Sequence, residues 1–216
     1  MHHDPRDPKC PECYKEWQGE REAASLKIME AMRRHPDYTA ILEGFGLRGE
    51  LGLWTFENYK PTCKGGEEAL KVCREFAERP LGNLVMIGTK GTGKTHLAAS
   101  ICRATGGHYE TATRLIRNIR EVYGRGEGDT EQKRIDTWAR KPLLVTDEIG
   151  MQKDEGSDKK LMFEIIDDRF IYRKPTVIVS NGTPEEVEAS LGEKSMDRLA
   201  RDGKILVMDW ESWRRK

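Results

Sequence analysis

The feature that most limits what this chain can fold into is the run Gly88-Thr-Lys-Gly-Thr-Gly93-Lys94-Thr95, which fits G-x-x-x-x-G-K-[ST] in full. It follows directly on the continuous apolar stretch Leu84-Val85-Met86-Ile87 and leads into a helix expected near 94–104. A short apolar run of that kind predicts a strand buried on both faces. Glycines at 88, 91 and 93 let backbone N–H groups turn inward around a phosphate, and the start of the next helix adds its positive dipole end. In this geometry Lys94 supplies a point charge to the β- and γ-phosphates. Thr92 completes the loop, and the Thr95 hydroxyl becomes a Mg²⁺ ligand. The run therefore predicts an ATP-type nucleotide site.

The rest of the chain repeats the strand–helix alternation. A weaker strand is predicted around 108–112, followed by a helix over 113–123 and a loop over 124–130 with three glycines. Core strands are predicted at 143–145 and 177–179 with a helix over 158–172 between them, and a last strand at 205–207. Such alternation predicts a parallel sheet covered on both faces. Upstream, residues 16–35 read as an amphipathic helix through Ala24, Ile28 and Met32, ended by His35-Pro36. Residues 37–53, with Gly44, Gly46, Gly49 and Gly52, read as a loop or linker, and 65–79 as a second helix.

Charge narrows the partners. The chain carries 37 basic and 37 acidic residues, so no overall field directs it to nucleic acid or membrane. Residues 142–193 hold twelve acids against six bases, whereas 111–141 and 194–216 are each net +3, so local basic segments remain for an anionic partner. Apolar runs stop at about five residues where a membrane helix needs roughly 20, and the first thirty residues contain no signal-peptide core. Five cysteines at irregular spacing do not form a disulfide framework. A cytoplasmic protein without a membrane partner is expected.

Two further strand ends carry chemistry. Leu143-Leu-Val-Thr-Asp147-Glu148 is an apolar strand ending in two acids: Asp147 suits the Mg²⁺ shell, and Glu148 can act as general base toward a water. Val177-Ile-Val-Ser180-Asn181 ends in an amide that either orients that water or simply opens the Asn-Gly turn. Arg114, Arg117 and Arg120 recur every three residues on one face of a helix, a basic face open to an anionic partner or to solvent and neighbouring acids. Cys10-Pro-Glu-Cys13 is half a zinc site, or a pair of reduced thiols. The other candidate ligands (His2, His3, His35 and Cys63) have no standard spacing. Cys73 and Cys102 fall on apolar helical faces and are expected in the core.

Taken together, the phosphate loop, Asp147-Glu148-Ile149-Gly150, Ser180-Asn181 and Met196-Asp197-Arg198-Leu199 resemble the AAA+ helicase loaders of the bacterial DnaC type. The same residues resemble their relatives, the phage loaders and IstB-type transposition ATPases. The resemblance runs from Thr55-Phe-Glu-Asn-Tyr59 to Trp210-Glu-Ser-Trp-Arg214, about three quarters of the chain. It implies an α/β AAA+ P-loop NTPase with a central parallel sheet and no C-terminal helical lid. A small helical N-terminal region (1–53) that grips a replicative helicase would precede the ATPase domain (54–216). It implies that Asn181 is the first sensor and that Arg198 is an arginine finger reaching the γ-phosphate of a neighbouring subunit in a homo-oligomer. Tyr59 is implied beside the adenine, either as a base contact or in packing. His96, just inside the helix after the loop, is placed with the nucleotide contacts, its ring more suited to packing than to catalysis. Arg214 falls where a second sensor could act. The helix with Arg114, Arg117 and Arg120 is implied to line a channel for single-stranded DNA, and the implied function is ATP-dependent loading of a replicative helicase onto that strand. The alternatives are an ATPase regulating a transposase and an ATP-bound adaptor with little turnover.

Overall fold

The computed structural model describes residues 37–121, 130–150 and 156–212. The helix expected over 16–35, Cys10 and Cys13, most of the glycine-bearing loop, and Arg214 lie outside the described residues. The chain divides into two compact units, Met1–Ile41 and Leu42–Lys216; helix α1 covers Tyr38–Gly44.

Five strands form one parallel sheet: β1 (Asn83–Ile87), β2 (His108–Thr111), β3 (Leu144–Ile149), β4 (Thr176–Ser180) and β5 (Gly203–Val207), in the order β2-β3-β4-β1-β5. The central strand β1 buries all of Leu84, Val85, Met86 and Ile87, which is why its sequence reads as a continuous apolar run. Side chains alternate across it. Val85 and Ile87 join a core with α4 (Ala112–Arg120), α5 (Glu131–Ala139), α6 (Ser157–Ile171), α7 (Pro184–Leu191) and α8 (Glu193–Arg201). The other face carries α2 (Lys64–Glu78) and α3 (Lys94–Thr105), with the Cys73 thiol 3.7 Å from the Met86 sulfur. Each fully buried Leu or Ile here contributes about 1.5–3 kcal/mol.

At the sheet end away from the phosphate loop, fully buried Arg169 ties the starts of β3 and β4 together. Its guanidinium donates to the carbonyls of Trp138, Ala139, Lys141 and Pro175 and to the Thr176 hydroxyl. Burial lowers its pKa to about 9, and this near-complete partnering is what makes a guanidinium tolerable inside a core.

Two expectations need correction. Residues 37–53 are not a plain linker: they form α1 and a 3-10 turn at Gly49–Leu53, because Leu42 and Leu47 are buried and the glycines punctuate helical turns. Residues 42–53 fall within the second compact unit. Helices α5, α7 and α8 also went unpredicted. Each has 8 or 9 residues, too few turns for the periodic signal. The start signals of α7 were nonetheless present, since Thr183 and Glu186 form a capping box with Pro184 in the first turn. No helix follows β5 among the described residues.

Candidate nucleotide-binding site

Residues 88–95 connect β1 to α3, as their pattern requires. Gly93, the residue before α3, has φ +95°, and a side chain there would meet the Tyr59 ring at 2.5 Å; glycine is needed on both counts. The Tyr59 hydroxyl donates to the Thr92 carbonyl at 3.3 Å, supporting the loop from beneath. Burial, with Cys73 and Cys63 nearby, pushes that phenol up to about 12, so it stays protonated. On the outer side, residues that follow β5 strap the loop: Thr89 donates from its backbone to Met208 O and from its hydroxyl to Trp210 O.

Lys94 is 3% exposed, with its ammonium donating to Gly88 O at 2.9 Å, to Thr89 O at 2.6 Å and to the Thr92 hydroxyl at 3.3 Å. Burial pushes it down to about 8, and the charge of Asp147 pulls the other way. A cation held only by carbonyl and hydroxyl dipoles beside a cleft is a ready partner for phosphate.

The two acids at the end of β3 reach the same cleft by a backbone irregularity. Successive side chains of a regular strand face opposite ways. Here the pairing of β3 with β4 shifts register between Thr146 and Ile149, and Glu148 takes the left-handed conformation at φ +61°. The bulge brings Asp147 and Glu148 both to the cleft wall. Asp147 is 2% exposed; its Oδ1 accepts from the Glu148 N–H and its Oδ2 from the Tyr109 hydroxyl, each at 2.6 Å. Glu148 itself is exposed, as a group handling water must be. Ser180 secures the bulge by donating to Ile149 O at 2.8 Å, and Asn181, one residue on, lines the cleft.

The cleft measures about 1010 Å³ and is lined by residues 90–96, Asp147, Glu148, Asn181 and Trp210, and on its other side by Trp54, Asn58, Tyr59, Lys60 and Thr62. His96 is a packing residue in this wall. Its ring stacks on Trp54 at 5.4 Å and 6°, meets the Tyr59 edge at 5.3 Å, and places Nε2 2.9 Å from both Thr55 O and Asn58 Oδ1. Two oxygen acceptors on one nitrogen fix the Nε2–H tautomer. Burial lowers the pKa of the ring and so keeps it neutral, although the Thr55 bond opposes this. The donor set fits the expected ligands: Lys94 for phosphate, and the Thr95 hydroxyl with the Asp147 carboxylate, hard oxygen donors, for Mg²⁺. Trp54, Tyr109 and Trp210 were missed as site residues. Trp54 belongs to no motif, Trp210 was read only as part of the C-terminal resemblance, and Tyr109 could have been found only by asking which residue on a neighbouring strand faces Asp147.

The remaining candidates lie elsewhere. Arg198 does not line this cleft; it pairs with Asp167 at 2.8 Å and Asp197 at 3.4 Å and lies 4.9 Å over the Phe170 ring. Arg114, Arg117 and Arg120 sit on α4 opposite buried Leu115, Ile116 and Ile119. Each has a carboxylate partner: Glu110 at 3.7 Å, Glu121 at 3.9 Å and Asp158 at 2.7 Å respectively. Thr111 caps the start of α4 by accepting from Arg114 N. Cys63 caps α2, while Cys73 and Cys102 are core as expected. Among the described residues no cluster of His, Cys, Asp and Glu could hold a metal ion, and no helix is long and apolar enough to cross a membrane.

Comparison with known proteins adds four findings. Residues 69–216 match the family described as IstB-like ATP binding protein. The replicative helicase loader DnaC of Escherichia coli K12 is 30% identical over 207 residues, spanning 92% of this chain and 84% of that protein. DnaC of Buchnera aphidicola subsp. Baizongia pistaciae is 26% identical, spanning 93% and 85%. A crystal structure of the DnaC helicase loader superimposes with a TM-score of 0.66 at 23% identity, covering 74% of this chain and 99% of that one, a likeness of fold.

Proposed function

Because the chain belongs to the IstB-like ATP-binding family, we propose that it is an ATPase that loads a replicative helicase onto single-stranded DNA in the cytoplasm. The observation that carries the reading is the bulge at Glu148, which turns two consecutive acids toward the cleft that holds Lys94. That arrangement serves hydrolysis of a phosphoanhydride. A glycine loop with a neutral cleft would only bind.

In this reading Lys94 and the backbone N–H groups of residues 88–95 hold the β- and γ-phosphates, and Tyr59 and His96 wall the nucleotide on its other side. Thr95 and Asp147 hold the magnesium ion, which when bound neutralises charge on the phosphate oxygens. Glu148 accepts the proton of the attacking water, and Asn181 orients that water. Arg198 serves the site of a neighbouring copy, so that turnover waits for assembly, and α4 offers Arg114, Arg117 and Arg120 to DNA phosphates. The N-terminal region grips the helicase. Any zinc on Cys10 and Cys13 belongs to that region and takes no part in ATP chemistry. The relatives named as helicase loaders favour this reading over regulation of a transposase.

The test is co-elution with a replicative helicase in ATP and in ADP, for the full chain and for a chain starting at Asp37. That start keeps Leu42 and Leu47, which the compact unit buries. The full chain should form a nucleotide-dependent complex. The shortened chain should bind ATP normally and fail to co-elute. A full chain that ignores the helicase in both nucleotides contradicts the proposal.

A further inference from the structure

Tyr109 lies outside every motif and yet bonds to the carboxylate assigned to magnesium. Strand β2 is an edge strand that pairs with β3 from His108↔Leu144 to Thr111↔Asp147. In that register Tyr109 stands opposite Val145 and shares a sheet face with Asp147, two residues further along β3. Its ring is buried, and its hydroxyl donates to Asp147 Oδ2 at 2.6 Å, the length of a charge-assisted bond. Oδ1 of the same carboxylate accepts from the Glu148 N–H. With one oxygen held by the backbone and the other by the phenol, the carboxylate cannot turn without breaking a short bond.

The phenol is itself firmly placed. The Tyr109 N–H donates to Phe45 O at 2.8 Å, and Gly46, at φ +83°, packs so closely that a Cβ would meet the Tyr109 carbonyl oxygen at 1.8 Å. Phenylalanine would fill the same space with no buried hydroxyl to satisfy, so the consequence of a tyrosine here falls on Asp147.

We propose that Tyr109 is a positioning residue: its hydroxyl fixes the plane of the Asp147 carboxylate and thereby sets how readily the ATP site takes up magnesium. Partners that orient a metal ligand in this way change metal affinity by about tenfold or more when removed. The assignment rests on the ATP-site reading above, and its test separates the two.

The full chain and its Tyr109→Phe variant are compared by binding of a fluorescent ATP analogue, first in EDTA and then in a Mg²⁺ titration. Affinity in EDTA should match within about twofold, while the Mg²⁺ concentration at half effect should rise about tenfold in Tyr109→Phe. In an Asp147→Asn background the same substitution should add nothing, because the two residues act as one unit. An unchanged Mg²⁺ midpoint, or a shift that persists with Asp147→Asn, overturns the assignment of Tyr109 alone. A wild-type chain that binds no analogue in either condition overturns the ATP site, and Tyr109 with it.

Discussion

Lys94 opens α3 with 3% of its surface exposed and its ammonium held by carbonyls of its own loop, whereas Arg198 on α8 leaves 32% of its side chain exposed and leans on two carboxylates and a phenyl ring. Both are read as cations for the same phosphate. The first is fixed by a turn whose glycines, strand and helix are contiguous in sequence, so its geometry is complete within one chain. The second is held by Asp167 and Phe170 on a different helix, outside the cleft, and on the proposal above it meets a phosphate bound by a neighbouring copy. Ion pairs near the surface are screened by solvent, so a phosphate can displace these at little cost. On that proposal binding is local and turnover is collective.

The sharpest way to break that separation is to remove each cation in turn. Lys94→Ala should weaken ATP-analogue binding by about a hundredfold or more, the scale for truncating one partner of a buried charge pair. Arg198→Ala should leave binding by the isolated chain within about twofold and remove about 10³-fold of assembly-dependent turnover. Wild-type affinity in Lys94→Ala would dismiss the site, and lost affinity in Arg198→Ala would merge the two regions.

Next in size is pH. Binding needs the Lys94 ammonium, whose pKa is lowered to about 8 in the free protein, and a bound phosphate raises that pKa again. Above pH 8 a proton must be taken up on binding, so affinity should fall by up to about tenfold per unit as pH rises. Arg198→Ala should follow the same curve. An affinity that stays flat from pH 7 to 10 would mean that the ammonium is not the phosphate partner.

The smallest effect is expected on α4, built like the Arg198 surface. Arg114 and Arg117 are about half and two-thirds exposed and have only loose acidic partners. Their reversal to Glu should weaken single-stranded DNA binding uniformly across sequences. The slope of log affinity against log salt should fall by about 0.7 per lost phosphate contact. Equal slopes would leave these arginines as a solvated face.

The same contrast explains what could be read from sequence. The strand at 84–87, the loop at 88–95 and helix α3 emerge from contiguous residues, and β1, α2, α3, α6 and β4 fall within about a residue of their expected bounds. The glycines at 44, 46, 49 and 52 misled, since Leu42 and Leu47 bury under tertiary contacts that composition does not carry. Asp147 and Glu148 were legible as acids at a strand end. The bulge that aims both at one cleft was not, because it depends on pairing with β4 and on Ser180 reaching Ile149 O. Tyr109 was invisible for the same reason, since its partner lies on another strand.

Mixing Lys94→Ala with Arg198→Ala tests most directly whether one phosphate is served from two copies. Each variant alone should hydrolyse almost nothing, and co-purification must first establish that they associate. The mixture should then regain turnover, because an Arg198→Ala chain keeps an intact Lys94 cleft and a Lys94→Ala neighbour supplies Arg198. A mixture that associates yet stays as inactive as its parts would contradict the account.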